Sequence, residues 1–415
     1  MTTDADIIAI IRKNKHNPIR RAYIKRRLYD GTYEANWFRI DSINGRDRVL
    51  EWGQVSIEID NQPGEIAKFD VSGLRMVMDN SEGFFDVEYA ENSLWYPSYT
   101  YLNRRYTKIK IDCGYYDQNG DEIGVVTIFE GFVNKVTITE DYKANLEILS
   151  YQGILAKYSI KDIGLTGSIL VSTVINTIMN QTKITTYIPY IASTPVNDVY
   201  VSDASTLDGT YWDVIQDLAY KSASVPYLNC STFSFVPRTM GVSSVYDFKG
   251  EGADNDPDIY KVASYDDEGA ERVRVYFTEK GTSLYSISGN SLLLKKYLGD
   301  PEEVDLSNID AGSKPGVLDQ LVSEWENPRP VIDFVSRFLL NYINPLNQIT
   351  LEILGPIDNQ SGVARFDIDK FDDDTMVYGK AWGGIYITTS AKWMVTKIIK
   401  DIGQWSCTIK AEKRN

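Results

Sequence analysis

Residues 127–155 read TIFEGFVNKVTITEDYKANLEILSYQGIL, in which Ile128, Phe132, Val136 and Ile138 share one parity before a polar turn, and Leu146 and Ile148 resume it afterwards. Apolar residues on one parity mark a strand with a single buried face, and the second run reads as its hairpin partner. The last stretch of the chain, WMVTKIIKDIGQWSCTIKA, repeats the arrangement: Trp393, Val395 and Ile399 precede a turn at 401–403, and Trp405, Cys407 and Ile409 follow it. Two similar hairpins far apart in the chain predict two comparable strand units.

Working outward, residues 22–160 carry further strand-like runs: AYIKRRLY, then a turn at Asp30-Gly31, then YEANWFRI, GQVSIEID and TKIKIDCGYY, with the Asn-Gly turn of DQNGDE leading back into the opening hairpin. Many short strands at close spacing predict a barrel or sandwich. The period then changes. Val171, Val174, Ile175 and Ile178, and later Trp212, Ile215 and Ala219, follow helical spacing, and VPYLNCSTFSFVPR alternates like a hairpin. Beyond a polar linker, ERVRVYFT restarts the strands. A helical stripe of Val331, Phe334, Val335, Phe338, Leu339 and Tyr342 stops at Asn344-Pro345 before the closing strands. The expected fold is mainly β with an α/β insert: a basic arm (1–21), a first β-barrel domain (22–160), a small mixed α/β domain (161–262), and a second β-barrel domain (263–415) with an embedded helix at about 331–343.

The 415 residues suffice for two to four domains and sizeable cores. With 43% hydrophobic and 24% charged residues the composition is globular, and 28 Tyr against 14 Phe suits strands and interfaces. No apolar run approaches a membrane span, and the charges of the N-terminus follow its short apolar run, so neither membrane insertion nor a secretory signal is expected. Cys113, Cys230 and Cys407 are dispersed, which predicts buried free thiols. The net charge is −15, yet residues 1–30 hold eight Lys or Arg against three Asp, so the excess acid lies in the body, which should repel nucleic acid. The basic segment RKNKHNPIRRAYIKRR reads as a solvated arm, as a dock for an acidic neighbouring subunit, or as a nucleic-acid contact. Arg20, Arg21, Lys25, Arg26 and Arg27 are its candidate partner contacts.

Chemistry is sparse. The one histidine, His16, sits in the basic arm, which argues against imidazole-dependent catalysis and histidine metal sites. No phosphate-cradling glycine motif is present, and no cofactor is expected. Paired carboxylates keep a glycan hydrolase open. Asp367, Asp369, Asp372, Asp373 and Asp374 offer oxygen ligands suited to Ca²⁺ but lack the Gly and terminal Glu of an EF-hand loop, so a solvated loop with Asx-turns is the alternative.

The order of elements resembles the phage tail hub, or baseplate hub, family. EGFVNKVTITEDYKANLEILSYQGILAKY is similar to that family's strand pair closing a first barrel before a helical insert, and TYWDVIQDLAYKSASVPYLNCSTFSFVPR to its helix and short hairpin. SGNSLLLKK is similar to its Asn-Leu-Leu segment. VIDFVSRFLLNYI, the Asp-rich loop and Gly379 before the final hairpin complete a likeness over about residues 40–412. The resemblance implies a non-enzymatic virion structural protein with pseudo-duplicated barrels, whose homotrimeric ring matches a hexameric tube or distal tail protein on one side and a spike, fibre or tape-measure protein on the other. It also implies a central channel through which DNA passes unbound, a tail-tip location and assembly in the host cytoplasm. A hexameric distal tail ring protein, a carboxylate-dependent glycan hydrolase and a receptor-binding module are the alternatives.

Overall fold

The computed structural model describes residues 17–60, 68–86, 91, 93–96, 100, 105–188, 190–191, 200–201, 203–221 and, beyond these, chiefly the strands between 224 and 414. Its first sheet is built from β1 (Pro18–Lys25), β2 (Phe38–Arg39), β3 (Val49–Glu51), β6 (Leu74–Asp79), β7 (Lys108–Tyr116), β8 (Glu122–Ile138) and β9 (Lys143–Leu149), in the order β2-β1-β7-β8-β9-β6-β3. The opening hairpin is β8–β9, with Val136 opposite Leu146 and Val133 opposite Ile148. At the tight turn after β1, Gly31 adopts φ 88 and Asp30 accepts a hydrogen bond from the Thr32 amide at 2.8 Å.

The single parity expected of β8 does not hold along its length. Register shifts fall between Thr127 and Phe129 and again between Val133 and Lys135. Each extra residue turns the following side chains over to the other face. Core contacts therefore run Val126, Ile128, then Phe129, Val133, then Val136, Ile138. Phe132, of the same parity as Ile128, is fully buried on the opposite face, against Tyr151 at 5.4 Å and Tyr187 at 5.3 Å between ring centroids. The neighbouring strands keep strict alternation, with Ile109, Ile111, Cys113 and Tyr115 of β7 and Ala22 and Ile24 of β1 in the core.

A second sheet meets that core at one end. It contains β4 (Gln54–Asp60), β5 (Lys68–Val71), β12 (Ile259–Glu268), β13 (Leu346–Leu354), β14 (Lys392–Asp401) and β15 (Ser406–Arg414), ordered β12-β13-β15-β14-β4-β5. The closing hairpin is β14–β15, as its sequence predicts. Its β14 pairs antiparallel with β4, Ile398 facing Ile57, so one sheet joins the ranges 22–160 and 263–415. Val55, Ile402 and Trp405 of this sheet enter the core of the first. Gly355, at φ 83, lets the chain pass the phenol of Tyr115, where a Cβ would lie 2.2 Å from the oxygen.

The described residues form no closed barrel. The first sheet is open between β2 and β3, which are only two and three residues long. The strands β4 and β5, available within 22–160 for closure, are drawn instead to the C-terminal hairpin. The arm is also shorter than expected, because Pro18 to Arg21 are the first half of β1, paired with β7.

The short helix α1 (Tyr151–Leu155) leads into the α/β insert, which carries α2 (Val171–Met179), α3 (Thr182–Thr185) and α4 (Tyr211–Lys221), followed by the hairpin β10 (Ser224–Leu228) and β11 (Phe233–Pro237). The stripes read from sequence are the buried ones: Val171, Val174, Ile175 and Ile178 in α2, and Trp212, Ile215 and Ala219 in α4. Thr210 and Asp213 cap α4 reciprocally, the Asp213 carboxylate accepting from the Thr210 amide at 2.8 Å and the Thr210 hydroxyl from the Asp213 amide at 3.2 Å. At α1, Gln152 accepts from the Val71 amide at 2.6 Å and Ser150 donates to the Val71 carbonyl at 2.9 Å, pinning the insert to the edge strand β5. Among the described residues no helix is long and apolar enough to cross a membrane. The helix expected at 331–343 lies outside the described residues.

Candidate functional site

The five basic residues singled out in the sequence do not form one patch, because β1 alternates. Arg20 lies on the core side, its guanidinium 5.2 Å from the centre of the Trp405 ring, and burial lowers its pKa. Arg21 points to the outer face and forms a two-nitrogen ion pair with Glu122, which raises the arginine pKa and lowers that of the glutamate. Lys25 lies on the outer face 5.5 Å from the Trp37 ring. Arg26 is clamped by Glu34, Nε donating at 2.8 Å, and donates to the Leu94 carbonyl at 2.7 Å. Arg27 alone of the five leads toward the insert, 5.6 Å from the Tyr187 ring. The Asp367–Asp374 cluster lies outside the described residues, among which no group of three His, Cys, Asp or Glu gathers as a metal site.

The outer face of the first sheet carries a ladder of charge. Lys110 stands opposite Tyr23 on one side and Glu130 on the other, and Lys108 opposite Lys25 and Phe132. Their ammonium groups sit on aromatic rings, Lys110 4.7 Å from Tyr23 and Lys108 4.9 Å from Tyr33. Burial lowers the Lys108 pKa, with Glu130 acting against it. Burial raises the Glu130 pKa, moderated by the Tyr151 hydroxyl that donates to it at 2.7 Å and by Lys108, Lys110 and Lys25. Glu130 also borders a cavity of about 20 Å³ between the two sheets and the insert, lined with Val55, Ile57, Val71, Phe129 and Leu228. That volume suits one water molecule rather than a substrate.

Beside this ladder the insert meets the sheet through tyrosines. Tyr106 takes a left-handed backbone at φ 65, held by its amide donating to the Val133 carbonyl at 2.8 Å and by the Tyr33 hydroxyl donating to its carbonyl at 2.7 Å. Its ring lies 5.7 Å from that of Tyr187, which in turn meets Tyr33 at 6.4 Å. Three cations surround the pair: Arg27 on Tyr187, and Arg105 at 5.2 Å and Lys157 at 4.7 Å from the Tyr106 centroid. Arg105 and Lys157 are exposed and Arg27 is half-buried. A fourth cation, Lys183, lies on the Tyr158 and Tyr211 rings and is balanced by Asp162 at 3.1 Å. Sequence reasoning found Arg27 but neither Arg105 nor Lys157, since their common ground is a ring contact between residues 106 and 187. It also missed Arg48, which is fully buried, bonded to Asp79 at 3.2 Å and stacked on Phe84 at 4.8 Å.

No protein-family model and no curated protein sequence matches the chain. Solved structures do. A tail protein from Neisseria meningitidis MC58 aligns with a TM-score of 0.53 at 10% identity, over 95% of this chain and 97% of that one. The 43 kDa tail protein of prophage MuSo2 from Shewanella oneidensis aligns at 0.51 and 8% identity, over 95% and 96%. The architecture, mainly β with few helices, is thus a fold found in phage tail proteins. The likeness spans the whole chain rather than one of its sheets.

Proposed function

We propose that the chain is a non-enzymatic structural protein of a bacteriophage tail, and within the tail a hub at the tip or baseplate. Three copies form a ring that joins the tail tube or distal tail ring to the central spike, fibre or tape-measure protein, and phage DNA passes through its lumen without specific binding. The protein is assembled in the host cytoplasm and resides at the virion tail tip. The observation that carries this reading is the likeness over nearly the full length of both chains to two tail proteins. The net charge of −15 favours it, because an acidic wall does not retain DNA.

Light scattering across concentration, with electron microscopy of the assembled species, tests the proposal. A threefold ring of three chains with six similar lobes is the expected result. A hexamer would assign the chain to the distal tail ring instead. A monomer that cleaves host glycans, losing turnover when one Asp or Glu is changed, would replace the structural reading with a hydrolase.

A further inference from the structure

We infer that Arg27, Arg105 and Lys157, gathered on the Tyr106 and Tyr187 rings, bind carboxylates of an acidic segment on a second copy of this chain. The inference rests on the ring reading above and assigns the surface through which the copies meet.

Lys25 and Lys108 rest on rings with no ion pair among the described residues, whereas the other neighbouring cations have a carboxylate: Arg21 has Glu122, Arg26 has Glu34, Arg39 has Asp41, Lys110 has Asp112 and Lys183 has Asp162. Arg27, Arg105 and Lys157 differ. Among the described residues they meet only rings and neutral oxygens: Arg27 donates to the Gly31 carbonyl at 3.4 Å, and Lys157 to the Tyr106 hydroxyl at 3.4 Å and Asn134 at 3.3 Å. Three like charges on two touching rings repel one another, and an arriving carboxylate relieves that repulsion while accepting charge-assisted hydrogen bonds from two guanidinium forks. The rings fix the cations in place, so little side-chain freedom is lost on binding.

The occupant follows from charge and shape. A second copy carries the same net −15 and hence abundant acidic surface for a localised cationic patch. A contact between two different patches repeats head to tail, and it closes into a ring where the rotation between copies closes. Nucleic acid fits less well, because the chain as a whole repels phosphate. The platform is also closed to bases: Tyr187 is buried, and Tyr106 is occupied by Arg105 and Lys157.

The test uses the full chain. Light scattering across concentration compares the wild type with Arg105→Glu/Lys157→Glu, and with Arg75→Glu/Lys143→Glu, which makes the same charge change at another site. The joint variant should associate about 30-fold more weakly or worse, as expected for loss of close charge pairs, while the control assembles like the wild type. Both should keep the wild-type circular dichroism. If charge reversal disturbs folding, Arg105→Gln/Lys157→Gln should weaken association in the same direction. Unchanged assembly of the joint variant would overturn the inference and leave the ring standing. A wild type that stays monomeric at every concentration would remove the ring and the second copy together. Fluorescence anisotropy with a single-stranded oligonucleotide, if it showed binding lost in the joint variant, would overturn the carboxylate assignment.

Discussion

At the residue scale, Phe132 and Glu130 reach the outer face only because β8 is one residue too long at Ile128 and again near Asn134. The turned-over segment puts an aromatic ring under the insert and a carboxyl against Tyr151. Phe132→Ala should cost about 3–5 kcal/mol, because the ring is fully buried between two tyrosines that cannot both close on the gap. Urea denaturation measures this, and a loss below about 1 kcal/mol would show that the contact is loose. Glu130 gives a prediction in pH. Its folded pKa is raised, chiefly by burial, above the ordinary 4.5, so the folded chain holds that proton more tightly than the unfolded one. Its contribution to stability is present below pH 4.5 and falls as pH rises through the folded value. Glu130→Gln retains an acceptor for Tyr151 and removes this decline, so the urea midpoint at pH 7 relative to pH 5 should be higher in the variant than in the wild type. Identical pH profiles would mean that Glu130 is solvated in solution.

At the scale of elements, the C-terminal hairpin is the part of the fold most dependent on residues distant in sequence. It hydrogen-bonds to β4, and its turn places Ile402 and Trp405 in the core of the first sheet. Removing residues 392–415 would strip β4 of one of its two partners and leave Tyr115 without the Trp405 ring that meets it at 5.5 Å. The shortened chain should lose its near-ultraviolet circular dichroism and its cooperative urea transition, and retention of both would show that the first sheet closes on itself without help. This dependence explains what the sequence made legible. Local periodicity sufficed for both hairpins and for α2 and α4, since their apolar stripes are set by residues within a few positions of each other. The 54–58 to 397–401 pairing left no such trace, because strand pairing between distant segments depends on the whole fold rather than on local pattern. Bulges were invisible for a related reason. They change which face a residue occupies without changing the composition of the run, so Phe132 read as a core residue of the first sheet. In the candidate site, Arg27 was legible as part of a basic run, whereas Arg105 and Lys157 acquire meaning only when the insert brings Tyr187 against Tyr106.

At the scale of the whole molecule, the shared core couples the two sheets, and the Gln152 and Ser150 bonds to Val71 couple the insert to both. Elements joined in this way should unfold together, in one calorimetric transition rather than two. A native state that is held in a ring adds a second signature, because mass action then stabilises the folded state as protein concentration rises. For three chains separating on unfolding, each tenfold rise contributes roughly 0.9 kcal/mol per chain. At the unfolding entropy usual for a chain of this length, that amounts to about 1 °C in the midpoint. A hundredfold series should therefore raise Tm by about 2 °C for the wild type and for Arg75→Glu/Lys143→Glu, and leave it flat for Arg105→Glu/Lys157→Glu. A flat series for all three chains would mean that the folded state is complete in one copy, and would remove the ring together with the contact between copies.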